Sequence, residues 1–140
     1  MQTTEQLAEL IRKKHDVLAR LRDVSQRQTE LVACGDIASL LKLLAVKQQL
    51  ISALQLLERE LAPYYAEDPE RREWPSPDER TRCAKQAGEC NAMLEEIVQI
   101  EKLGAEKLMA RRNEVAEQLQ QVHAAAHVRS AYEAQRKNQV

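Results

Sequence analysis

Large aromatic side chains are nearly missing from this chain: there is no Phe, one Trp and three Tyr, 3% of the residues in all. Globular cores and enzyme pockets draw on such side chains for buried area. Their scarcity therefore argues against a pocket enzyme and for helices packed through Leu, Ile, Val and Ala. Gly and Pro are also few, 3 and 4 residues, so the chain has few places to turn. No sign of charge dominates. Net charge is −1, and residues 1–62 and 81–140 each sum to +1 while residues 63–80 carry −3. Without a basic stripe, nucleic acid and anionic membranes are not expected as main partners. The N-terminal Met-Gln-Thr-Thr-Glu-Gln lacks the basic and apolar regions of a secretory signal. The apolar runs read as shorter than the ~20 residues of a membrane span. The cysteines are odd in number, and Cys83 and Cys90 lie about two helical turns apart, too far for a disulfide within a helix. All three read as reduced and buried, in a cytosolic setting.

What is present is helical pattern. At 140 residues with 44% hydrophobic and 31% charged content, the chain suits one all-α domain, 1–140, an antiparallel bundle of three long helices. Thr3-Thr4-Glu5-Gln6 has capping-box form and opens a helix over about 4–33. Its seam reads as Leu7, Lys14, Leu21 and Gln28 on one line and Leu10, Val17, Val24 and Leu31 on the other. Gly35-Asp36 then serves as helix stop and helix start. The second helix, 37–62, is apolar over an arc wide enough to imply cover from more than one side. Pro63 is expected to end it. The connector 63–76 holds three prolines, the Trp and two Tyr, which are placed to plug one end of the bundle. Ser76-Pro77-Asp78-Glu79 starts the third helix, 77–135, striped by Ala84, Ala87, Leu94, Ile97, Val98, Leu103, Leu108, Val115, Leu119, Val122 and Ala126. That helix would span roughly 90 Å at 1.5 Å per residue, twice either of the others. It is expected to overhang the bundle in part, and its last ~30 residues to lack full cover from their own chain. Whether the first two helices form a hairpin or run end to end is open.

Candidate chemistry is thin. His123 and His127 stand i, i+4, but the zinc-protease pattern needs a Glu after the first His and Ala124 stands there. Glu95-Glu96 are neighbours on a helix and point apart. Arg71-Arg72 and Arg111-Arg112 read as solvated or ion-paired, and no serine has nucleophile-elbow context. No catalytic residue, metal ligand or cofactor is expected, and the chain is not read as an enzyme. The Ala-rich segment 117–132 differs, with Ala124, Ala125, Ala126 and Ala131 flanked by Leu119, Val122, Val128 and Tyr132. Small side chains let another helix approach closely, so Leu119, Val122, Ala126, Val128 and Tyr132 form the candidate partner-binding set.

The pattern Glu30…Gly35-Asp36…Leu40…Leu44…Lys47…Leu50…Leu54 resembles the N-terminal half of the FlgN family of flagellar type III export chaperones. The resemblance covers residues 7–62, and residues 94–132 are similar in kind, with a long amphipathic helix reaching Tyr132. The basic tail, Arg136 and Lys137, departs from the Gly-containing ending of many members. The resemblance implies a cytoplasmic helical chaperone, monomeric or weakly homodimeric. Its clients would be flagellar hook-associated proteins, held by their C-terminal helices and delivered to the export apparatus. It also implies client contact through the C-terminal helix. The rival reading from the residues is a structural coiled coil or homodimeric scaffold.

Overall fold

The computed structural model describes residues 3–137, and these build an all-α helical bundle. The elements are α1 (Thr4–Cys34), α2 (Ile37–Tyr65), a short 3-10 turn (Pro69–Arg71) and α3 (Pro77–Lys137). The chain divides into two compact units, Met1–Glu101 and Lys102–Val140, and α3 contributes to both.

Local signals set the helix ends. Thr3 Oγ1 accepts from the Gln6 backbone N–H and Gln6 Oε1 from that of Thr3, both at 3.2 Å, which satisfies two donors that a helix start would otherwise leave unpaired. Gly35 takes φ 73°, the left-handed conformation that costs a side-chain-bearing residue strain. Asp36 then accepts from the Ser39 N–H at 3.1 Å and opens α2. Ser76 does the same for α3, accepting from Glu79 N–H at 3.2 Å. Pro63 does not stop α2 where expected. The helix continues to Tyr65, because a proline in the final turn removes only one N–H and the freed end is held otherwise. Arg72 Nη2 and the Glu67 N–H both donate to the Tyr64 carbonyl, at 2.6 and 3.2 Å.

In the first unit α1 and α2 form a hairpin. Tyr64 Oη reaches Gln6, Lys14 reaches Glu58 and Lys47 reaches Gln28, so partners run in opposite directions. Against α3, α1 runs parallel: His15 meets Glu89, Arg22 meets Glu96 and Ser25 meets Glu101. Two apolar clusters form the core. Leu7, Ile11, Leu61, Tyr64 and Cys83 fill one end, with Trp74 packed against them. Leu18, Leu21, Cys90, Met93 and Ile97 fill the middle, flanked by Leu50, Ile51 and Leu54. The expected aromatic plug is therefore Tyr64 and Trp74. Tyr65 is exposed instead, its ring 5.9 Å from the Lys14 ammonium.

Several expected packing assignments shift. The first line of the α1 seam holds for Leu7, Lys14 and Leu21, which are buried, while Gln28 is half-buried. On the second line Leu31 is buried as expected, but Ile11, Leu18 and Ser25 take the places of Leu10, Val17 and Val24, which are half-buried. Ile11 and Ser25 both meet α3, through Cys90 Sγ and Glu101. Leu10, Val17 and Val24 stand one position away on the flank, and Val24 borders a surface groove shared with Leu50 of α2. On α3 the buried line is Cys83, Cys90, Met93 and Ile97, while Leu94 and Val98 are exposed. Thiols and a thioether fill this line because they pack as modest apolar groups. As its wide apolar arc implied, α2 packs against both α1 and α3, yet part of that arc stays open: Ile37, Leu41, Leu44, Val46 and Leu56 are exposed. Cys34 is exposed too, since it stands in the last turn beside the Gly35 corner. Burial raises the Cys83 and Cys90 thiols above their ordinary pKa, so both stay protonated.

Contrary to the expectation from run length, α2 is long and apolar enough to cross a membrane by length and composition. Its Lys47, inside that apolar stretch, is tied to Gln28 of α1 at 2.9 Å and Glu101 of α3 at 2.6 Å. Such a polar layer belongs to packing among helices.

Candidate helix-docking face

All residues of α3 from Lys102 to Lys137 are exposed, Gly104 excepted, which is half-buried. Helical geometry sorts them. At 3.6 residues per turn, Leu108, Val115, Leu119, Val122 and Ala126 fall within an arc of about 60°. The four larger side chains are 49, 48, 56 and 65% exposed, in that order. They form a seam with the 7-4-3-4 spacing of helix-packing positions. A seam this narrow matches one facing helix better than the broader apolar face of a membrane-surface helix.

The candidate set Leu119, Val122, Ala126, Val128 and Tyr132 divides on this geometry. The first three share the seam. Val128 and Tyr132 are both 67% exposed, but at ~100° per residue they turn about 120° and 80° from Val122. One straight partner helix covers the first three with Leu108 and Val115, not all five. Those two were legible in the stripe but fell outside the Ala-rich texture.

The seam has charged borders. Arg111 and Arg129 stand along one edge and Arg112 and His123 along the other, each roughly 50–70° from the seam centre. In this segment seven basic residues face four acidic ones, and Glu106, Glu114 and Glu117 lie about 110–170° from the seam centre. The Arg111-Arg112 pair therefore has a definite place, one residue on each border. The sequence carried that signal only once the seam position was known.

Elsewhere the polar chemistry is structural. Lys14 is buried at its seam position, its Nζ 2.6 Å from Glu58 and 3.4 Å from Tyr65 Oη. Burial pulls its pKa down, but Glu58 and Tyr65 outweigh that and leave it above its ordinary value. Glu101 Oε1 accepts from Ser25 Oγ at 3.0 Å as well as from Lys47, binding all three helices. Lys47, one of the motif residues, thus has a role in the bundle. Glu30, another, pairs with Arg27 at the surface at 2.9 Å. An open groove of about 660 Å³ lies under the connector, lined by Tyr64, Arg72 and the acidic Glu67, Asp68 and Glu73. His123 and His127 are exposed, and among the described residues no group of three or more His, Cys, Asp or Glu is placed to hold a metal ion.

Comparison with family models, with curated proteins and with solved structures returns no match.

Proposed function

We propose that this chain is a flagellar type III export chaperone of the FlgN type, which takes up the C-terminal helices of hook–filament junction proteins before export. The observation that carries the reading is the aliphatic seam from Leu108 to Ala126, exposed along its whole length. Amphipathic helices gain most of their stability from packing that seam, and a helix laid in an apolar groove is a recurrent recognition mode. Covering four side chains already half exposed is worth about 1 kcal/mol each or slightly more. A client seam contributing as much brings the gross gain to ~10 kcal/mol, from which association costs remove at least ~4. The remainder corresponds to a dissociation constant of tens of micromolar, suitable for a complex that must be released. The Gly35-Asp36 corner and the engaged Lys47 support the family resemblance.

Sedimentation and circular dichroism test the proposal. A chain that self-associates weakly and gains helix on adding a peptide from the C-terminal helices of a hook–filament junction protein supports it. A tight dimer indifferent to such peptides would replace it with a homodimeric scaffold.

A further inference from the structure

We infer that the partner helix taken by the α3 seam carries acidic residues along the borders of its own apolar face. The inference rests on the helix-docking reading above and adds the chemistry of the partner.

The argument is one of charge complementarity. A helix laid on Leu108, Val115, Leu119 and Val122 meets Arg111 and Arg129 on one side and Arg112 on the other. Among the described residues, none of these three guanidinium groups is ion-paired. Glu106 and Glu117 point away. Glu114 stands i, i+3 from Arg111 and Glu133 i, i+4 from Arg129, but neither is within ion-pair distance of those guanidinium groups. A second copy presenting the same seam would set arginines beside arginines, which like-charge contact disfavours. An acidic-bordered helix matches both edges at once.

The test uses the full chain at low salt and two labelled peptides of about 25 residues. Both carry one Leu/Ala seam, bordered by Glu in one and by Lys in the other. Fluorescence anisotropy should give the Glu peptide a preference of ~10-fold or more, falling towards parity at 1 M salt as exposed charges are screened. Arg111→Glu, Arg112→Glu and Arg129→Glu together should invert the preference. The matching Gln substitutions should abolish it without inversion, and circular dichroism confirms that each variant is folded. Equal binding of both peptides, or preference for Lys, overturns the inference and leaves helix docking standing. Binding of neither peptide overturns the docking reading as well. Phosphatidylserine vesicles bound more tightly than the Glu peptide would assign the arginine borders to a lipid surface, also overturning the inference.

Discussion

Lys14 and Glu58 allow an asymmetric prediction. The ammonium is 11% exposed and the carboxylate 41%, at 2.6 Å from each other. Glu58→Ala leaves a buried cation whose remaining partner is the Tyr65 hydroxyl at 3.4 Å. Removing one partner of a fully buried pair costs about 3–5 kcal/mol. Here one member sits at the edge, so ~2 kcal/mol is expected, a fall of roughly 10 °C in midpoint for a unit of this size. Lys14→Met instead leaves a carboxylate that water can reach, and puts an unbranched apolar chain of similar length in the seam. It should stay within about 1 kcal/mol of the parent, on either side. Urea titration followed by circular dichroism measures both. If Lys14→Met costs as much as Glu58→Ala, the asymmetry of burial does not govern this pair and the reasoning fails. The pair also has a pH signature. The pKa of Lys14 is raised on folding, so its contribution is complete below the unfolded value and is lost as pH rises through the folded one. As pH rises above the ordinary lysine range, the parent should lose more stability than Lys14→Met does.

The remaining expectations are shorter. Gly35→Ala meets no atom within 4 Å, so its cost is that of the left-handed backbone alone, about 1 kcal/mol, read from the same urea titration. Val122→Glu with Ala126→Glu should change the thermal midpoint little, since substitutions on an exposed face usually stay within ±0.5 kcal/mol, while abolishing peptide binding by anisotropy. A loss of several kcal/mol would mean that this face is core. Asp36 is held below the usual carboxylate range by its bonds from the side chain and backbone of Ser39. Its capping contribution should therefore be intact above the usual range and be lost only as pH falls through the lowered value, detectable by comparing acid unfolding with Asp36→Ala.

The three helix starts and the end of α1 were legible in the sequence because their causes are local, whereas the end of α2, held by Arg72, was not. Thr3, Gly35-Asp36 and Ser76 act on backbone groups within four residues, so the chain alone contains the whole interaction. Burial was less legible because it depends on the neighbouring helix. Leu94 and Val98 read as core by type, yet α1 meets the face that carries Cys90, Met93 and Ile97. Ser25, 1% exposed, was invisible to a search for apolar periodicity. Its burial makes sense only with Glu101, 76 residues away, in place. The candidate docking face divides the same way. Leu119, Val122 and Ala126 follow from period alone, whereas Val128 and Tyr132 were grouped with them by composition, which ignores helical phase.

Those buried polar residues also explain how a seam made largely of leucine settles on one alignment. Leucines facing leucines tolerate a slip of a heptad, because each finds another apolar neighbour seven residues away. Lys14 does not. Sliding α2 by seven residues sets Ile51 or Tyr65 where Glu58 stands, and the ammonium loses its carboxylate. The same slip sets Leu40 or Leu54 where Lys47 meets Gln28, so Glu101 loses its ammonium partner and keeps only the Ser25 hydroxyl. Each misalignment leaves the poorly solvated Lys14 ammonium without its carboxylate, at a cost of about 2 kcal/mol, and breaks the Lys47 bonds as well. The aligned bundle satisfies Lys14 through Glu58 and satisfies Ser25, Gln28 and Lys47 around Glu101. Among the described residues leucine supplies six of the twelve buried hydrophobic ones, and the polar positions decide which of several leucine-compatible registers the three helices adopt.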